Sequence, residues 1–403
     1  MRRPERARGS GGVQRAARGA APGIPAPEAS GAIELDLEFS ADQELLRQTV
    51  RRFLAERAPL SYVRSMLDDH RGTSDEVWSG LARLGATGLL VPEEHGGAGM
   101  GMVDMAVVLE ELGRAVHPGP FASSAVGATS LILAAGGDDA RASLLPGLAS
   151  GERVGTVAVY EPGRRGDWAQ PTTTARPEGD GWVLTGRKVH VPDAVAADLL
   201  LVTAAADGLA VFVVERDAPG LEVGATPPVD GTRKRGALVL DDVPGRRLDR
   251  GDATATLAET IDRLAVAGVI DGVGAASRAL ELAVDYARER RQFERPIGAF
   301  QAVQHLCADM LRAVELARAA AYYACWAADA APARERHRAV TMARAFAADE
   351  LYRVGASAIQ VHGGIGFTWE HDVHLYYKRL LTLQHEGGGA TDHLEELASL
   401  ILD

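Results

Sequence analysis

From Ser40 onward, apolar residues recur every three to four positions, the period of a helix with one buried face. Leu45, Leu46, Val50, Phe53 and Leu54 share such a face, and Ser40 and Gln43 stand at the spacing of a capping box that would start it. Thr73 and Glu76 repeat the spacing before Val77, Trp78, Leu81 and Leu84. The turn-rich stretch VPEEHGGAGMG at 91–101 precedes a third apolar helix through Val107, Val108, Leu109 and Leu112, and a fourth covers roughly 122–135. These segments predict a helical domain that closes near Gly151.

At Val154 the period drops to two. Val157 and Val159 fall on one face of a short strand, Thr156 and Ala158 on the other. Further strands are expected at 182–184, 199–202, 209–214 and 238–240, separated by turns such as Glu178-Gly179-Asp180-Gly181. Short strands so spaced predict a compact antiparallel sheet domain or small barrel. No phosphate-binding glycine fingerprint follows any of them, which argues against a Rossmann-type fold. After Ala253 the helical period returns over 256–290, 300–328, 333–362, 370–383 and 392–402, the pattern of an antiparallel bundle. The expected layout is an extension over 1–34, a helical domain over 35–152, a β domain over 153–252 and a C-terminal bundle over 253–403.

Composition narrows the picture. At 403 residues, 46% of them hydrophobic, the chain is long enough for two or three packed units. No apolar run reaches the roughly 18 residues of a membrane span. A net charge of −12 argues against general nucleic-acid binding. The two cysteines, Cys307 and Cys325, are too few for a disulfide framework or zinc cluster and read as small core residues in a reducing compartment. The first thirty-odd residues are rich in Arg, Gly, Ala and Pro and lack the apolar core of a secretory signal, so an extension without fixed structure is expected. The Ala, Arg and Gly bias suggests a GC-rich bacterial genome and hence the cytoplasm.

Two stretches carry candidate chemistry. In YARERRQFERPIGAFQAVQH, 286–305, a helix bearing Arg288, Arg290 and Arg291 should stop near Pro296, with the aromatic pair Phe293 and Phe300 buried and a new helix starting near Phe300. Arginines at such a break, with Gln301 beyond, offer forked donors to a phosphate or carboxylate; a solvated basic face is the alternative. In QVHGGIGFTWEHDVHLYYKR, 360–379, Gly363, Gly364 and Gly366 let backbone N–H groups approach an anion.

Together and in this order, the two stretches resemble the C-terminal signatures of the acyl-CoA dehydrogenase family, whose helix, sheet, helix order the periodicity also gives. The likeness runs from about Leu35 to about His393. It implies flavin-dependent α,β-dehydrogenation of an acyl-CoA or acyl thioester, with FAD between the β domain, the bundle and a neighbouring subunit. Electrons would pass to a separate acceptor flavoprotein. Arg290 takes the position of the arginine on the cofactor's pyrophosphate and Gln301 that of the following glutamine. Gln360, Val361, His362, Gly363 and Gly364 match the loop at the adenosine end. The reaction needs a desolvated carboxylate of raised pKa to take the α-proton, and donors for the enolate-like charge.

The sequence also departs from the family. Counting from Gly366 puts Gly387 where most members carry the base, and Glu386, one residue away in a flexible Glu-Gly-Gly-Gly loop, is the candidate base. A minority branch takes its base from the helix before the arginine signature, where this chain has Leu264; Asp262, two residues off, is turned about 200° from that face. Asp271, on the same helix, matches no role. In YEPGRRGD, 160–167, Glu161, Pro162 and Asp167 match, but Tyr160 replaces a threonine, and Arg165 and Gly166 replace a Gly-Ser pair. Lys188 remains, while His190 and Pro192 replace a tryptophan and threonine that usually contact flavin. Arg164 and Arg165 read as a solvated turn before a CoA-phosphate site, and Glu370, His371 and His374 as packing residues before metal ligands. These changes resemble a bacterial subgroup that works as heteromeric pairs on bulky acyl-CoA thioesters. Two alternatives to the dehydrogenase stay open: a catalytically silent partner subunit, or a flavin monooxygenase on the same fold. The assembly is expected to be a homo-oligomer or a heteromer with a homologous subunit.

Overall fold

The computed structural model describes residues 39–402 except 165, 180 and 249–251, so the extension expected over 1–34 lies outside the described residues. The first helix, α1 (Ala41–Arg57), starts where its cap requires: the Ser40 hydroxyl accepts from the Gln43 amide at 3.2 Å and the Gln43 side chain accepts from the Ser40 amide at 3.0 Å. A short α2 (Leu60–Ser65) follows, then α3 (Asp75–Arg83). The α3 cap is not Thr73. Gly72 turns at φ +68° and Thr73 is buried with its hydroxyl unpartnered, so Ser74 is the last extended residue and accepts from the Val77 amide at 3.3 Å. Helix α4 (Met102–Arg114) is buried along most of its length. The fourth expected helix is a π-helical segment, Ala122–Ala128, continuing as α5 (Thr129–Ala135); α6 (Asp138–Ala149), not anticipated, buries Leu144, Leu145 and Leu148 although it contains Pro146.

Seven strands form the middle domain: β1 (Gly155–Ala158), β2 (Thr174–Glu178), β3 (Gly181–Pro192), β4 (Leu199–Ala205), β5 (Leu209–Glu215), β6 (Leu221–Thr226) and β7 (Arg235–Arg247). The order β1-β4-β2-β3-β7-β5, with β5 returning to β4, closes a small barrel, and β6 lies outside on β7. Most pairs are antiparallel, but β1 runs parallel to β4. The alternation expected around Val157 is present: Val157 and Val159 face the helical domain with Leu131, Leu145 and Leu148, while Ala158 faces the barrel interior with Leu184, Phe212 and Leu240.

The bundle is built on α7 (Ala253–Glu289), which packs against α4, α8 (Gln301–Ala330), α9 (Ala333–His362) and α10 (Val373–His385); α11 (Ala390–Leu402) lies on α9. At the α4–α7 crossing a Cβ on Gly113 would sit 1.9 Å from the Asp271 carbonyl oxygen and one on Gly274 2.0 Å from that of Glu110, so the two backbones touch only because neither residue has a side chain. Helix α7 ends before Pro296 is reached: Arg291–Gln292 and Arg295–Pro296 form a hairpin, β8–β9, whose turn residues Phe293 and Glu294 take φ +50° and +67°. Phe293 meets Phe300 edge-on at 6.1 Å but is 85% exposed, so the pair is not buried as expected. Cys325 is a core residue, whereas Cys307 is only half-buried. No helix among the described residues is long and apolar enough to cross a membrane.

Candidate active site

Where the barrel, the π-helical segment and the bundle meet lies a cavity of about 150 Å³. One wall is apolar, with Val157 and Val159 from β1 and its exit, Ile261, Leu264 and Ala265 from α7, and Leu383 from α10. The other is polar: Tyr160, His190, Asp193, Arg233, Lys234, Arg235, Arg344 and Glu386.

Glu386 enters from the end of α10. A Cβ on Gly268 would lie 3.7 Å from its Oε2, which places the carboxylate over α7 one turn past Leu264. Its Oε1 accepts a hydrogen bond from Arg235, and Arg344 donates to its backbone carbonyl at 3.0 Å. The expectation of a desolvated carboxylate of raised pKa is not met: the Glu386 side chain is 46% exposed. Its packing in the cavity pushes the carboxyl up, but the charges of Arg235, Arg233 and Arg344 and the Arg235 hydrogen bond outweigh it and hold the group below the usual carboxylate range. A side chain at the counted position would be strained: Gly387 has φ +68°, and a Cβ there would stand 2.3 Å from Arg344 Nη2, so the guanidinium would have to move aside.

Leu264 faces the cavity and packs on Gly127, and Asp262 points away as its spacing implied, held by Arg336 Nε at 3.1 Å and His337 Nδ1 at 2.8 Å. From the barrel, His190 and Pro192 line the cavity, His190 at φ +54° in a bulge of β3. Asp193 follows. Its Oδ2 lies 2.7 Å from Ser123 Oγ, which is also 3.0 Å from the Pro120 carbonyl oxygen. Burial raises the Asp193 carboxyl, with Ser123 and the arginines opposing. His393 also borders the cavity, its pKa lowered to about 4 by burial and the Arg344 charge, while His385 is exposed.

The polar wall is anchored by a buried network that the sequence reading missed. Arg379 of α10 donates to both oxygens of Asp271 at 2.9 Å, to Asp230 at 2.8 Å, to Thr232 at 2.6 Å and to the His117 carbonyl at 3.2 Å. Arg233 pairs with the same Asp271 at 2.7 Å. Asp271 thus ties the bundle to the loop that carries Arg233 and Arg235, and Arg379 extends the network to the N-terminal domain at His117. Glu161 and Lys188 are also structural: the buried ammonium donates to Glu161 at 2.8 Å and to Thr203 at 3.0 Å. Burial opposes the Glu161 charge, yet hydrogen bonds from Lys188, Thr172 and Thr173 bring its pKa down to about 2. Arg164 closes a local turn onto Asp167 at 3.1 Å and the Gln170 carbonyl at 2.6 Å; Arg165 lies outside the described residues.

The two sequence signatures meet elsewhere, at the far end of α7. Tyr286, one turn before Arg290, stacks on His362 at 4.7 Å between ring centroids, and His371 packs against both. Arg290, Gln301 and Gln360 are exposed there, whereas the Val361 and His362 side chains are buried in the bundle. Gly363 has φ +65°, and a Cβ on it or on Gly364 would meet nothing within 4 Å, leaving an open backbone face. Phe367 and Trp369 flank this end at 78% and 63% exposure. His374 packs edge-on against Trp369 at 4.8 Å. Among the described residues no group of three His, Cys, Asp or Glu side chains is placed to hold a metal ion.

Three family models match in order along the chain: acyl-CoA dehydrogenase N-terminal domain over 40–152, middle domain over 156–243 and C-terminal domain over 251–399. The chain belongs to the acyl-CoA dehydrogenase family. It is an oxidoreductase of that flavoprotein family, with the family's three-domain layout. Acyl-CoA dehydrogenase IpdE2 of Mycolicibacterium smegmatis is 34% identical over 85% of this chain and 93% of its own. Among solved structures, a variant of the Tcur3481-Tcur3483 steroid ACAD is 36% identical over 90% of this chain and 98% of that one, with a TM-score of 0.83. The ChsE4-ChsE5 complex from Mycobacterium tuberculosis is 27% identical over 92% and 99%, also at 0.83.

Proposed function

We propose that this acyl-CoA dehydrogenase binds FAD and removes the α- and β-hydrogens of an acyl-CoA thioester, with Glu386 as the base and electrons leaving to a separate electron-transfer flavoprotein. The observation that carries the reading is the Glu386 carboxylate, set over α7 at Gly268 and facing Tyr160, His190 and Pro192 across one cavity. Flavin, when bound, supplies the hydride acceptor. Glu386 takes the α-proton at its carboxylate and so loses its charge. Arg235, released from its ion pair, then faces the negative charge that grows on the thioester.

The far end of α7 fits a dinucleotide. Arg290 presents an exposed fork of donors, Gln301 is exposed beside it, and the Gly363–Gly364 backbone is open where side chains would obstruct a phosphate. Along the helix, Arg290 is about 33 Å from Gly268, at 1.5 Å per residue. Arg290 therefore serves the cavity of a neighbouring subunit, which would also cover Phe293, Phe367 and Trp369. By analogy with the paired chains in the ChsE4-ChsE5 complex, that neighbour is a second copy or a homologous chain.

One observation favours a second reading, a silent partner subunit: Glu386 is ion-paired and its pKa is depressed, the reverse of what a base needs. Purification with and without a co-expressed homologue separates the two. A yellow protein bleached by acyl-CoA supports the dehydrogenase. Glu386→Gln should then keep the colour and lose roughly a hundred- to ten-thousandfold in bleaching rate. Undiminished turnover in that variant rules Glu386 out as the base.

A further inference from the structure

The charges around the cavity do not balance, and the imbalance has an address. Arg233 is neutralised by Asp271, Lys234 turns away to donate to the Leu67 carbonyl at 2.7 Å, and Arg235 is paired with Glu386. Of the acids facing the cavity, Glu386 is engaged by Arg235, and Asp193 is buried against Ser123. Glu396, the other acid near Arg344, is held by His337 at 3.1 Å. That leaves Arg344 of α9. Its only hydrogen-bond partner among the described residues is the Glu386 backbone carbonyl, a neutral acceptor that uses one of the guanidinium's five N–H groups. A half-buried guanidinium with no direct ion pair among the described residues, opposite a wall of Ile261, Leu264, Ala265 and Leu383, suits a ligand with an apolar body and one anionic end.

Resting on the dehydrogenase reading above, we infer that the acyl group accepted by this site carries a second, free carboxylate, bound by Arg344. The substrate class is then the monothioester of a dicarboxylic acid rather than a plain fatty acyl-CoA. The carboxylate supplies the direct ion pair that Arg344 does not make among the described residues. Its negative charge also opposes the pull of the arginines on Glu386, so a bound substrate leaves the base readier to accept a proton. A neutral acyl chain provides neither effect.

The test uses the flavin-loaded protein with any partner chain present and a matched pair of substrates, glutaryl-CoA and pentanoyl-CoA, with kcat/KM from flavin bleaching. Binding of the corresponding redox-inert CoA thioethers is measured by calorimetry. The expected result is a preference for the anionic member of roughly ten- to a hundredfold, the span of one charged hydrogen-bonded contact. That preference should collapse in Arg344→Met and be largely kept in Arg344→Lys. Equal kcat/KM and equal binding of the two in the unmodified protein overturns the inference, with no variant needed. An Arg344→Met protein that folds but purifies without flavin overturns it too, because the anion at Arg344 would then be the cofactor's phosphate. If neither substrate bleaches the flavin, the dehydrogenase reading fails. The calorimetric preference, which needs no turnover, still decides whether Arg344 reads a carboxylate.

Discussion

Replacing Asp271 with asparagine preserves shape and removes one charge from the point where the three domains join. In the folded protein that carboxylate accepts two bonds from Arg379 and pairs with Arg233, all inside the molecule. Counted separately at about 1.5–3 kcal/mol per charged hydrogen bond, three contacts exceed 4 kcal/mol, but they share one group and the amide oxygen retains part of them. The cost of breaking a buried pair and stranding its partner is about 3–5 kcal/mol, and that is the expected loss for Asp271→Asn. Asp230 continues to hold Arg379 through Nε, so Arg233 suffers most. Guanidinium unfolding should show a lower midpoint, with the slope unchanged if the transition stays cooperative. The deficit should depend on pH with a definite sign. Burial opposes the Asp271 charge, but Arg233 and Arg379 prevail and depress its folded pKa. Its stabilisation is therefore present above the unfolded value of about 4 and lost as pH falls, so the two proteins should converge in acid. A loss below about 1 kcal/mol at neutral pH would refute the view of Asp271 as the junction of the domains.

Two further perturbations address the site and its support. Arg235→Met removes the main opponent of burial at Glu386, so the acidic limb of the kcat/KM profile should move to higher pH; an unmoved limb means that Glu386 is not the titrating base. His337, hydrogen-bonded to Asp262 and Glu396, has its pKa raised to about 9. A raised histidine stabilises fully below its unfolded value of about 6.5 and stops doing so as pH passes through the folded one. The protection factors of α11 amides, with the intrinsic pH dependence of exchange divided out, should therefore fall between these limits, and His337→Gln should abolish that fall.

The long helices were legible because a bundle writes its faces into the sequence: α9 runs over the span its periodicity marks, and α8 and α10 differ from theirs by a few residues at the ends. Strands β2 and β6 were not read. The first contains Pro177 and touches β4 through a single residue pair, and the second, half-exposed with Gly224 inside, lies on one edge of β7. The missed cap at Ser74 turned on the conformation of Gly72, which spacing does not encode. At the site, the sequence singled out Glu386, His190, Pro192 and Tyr160 by position, but neither Arg235 nor Arg344. Those two matter because of what folds against them from 151 and 42 residues away. Asp271 escaped for the same reason, since its partners sit on α10 and on the loop before β7.

Helix α7 spans 37 residues without a break, and it carries a cavity wall near one end and Arg290 at the other. On the proposed arrangement a defect in the arginine end is felt next door, while a defect in Glu386 stays at home. Pair a copy damaged at one end with a copy damaged at the other, and the damage gathers in one pocket while the second is restored whole. Two individually dead versions of this chain can thus be worth one living site between them.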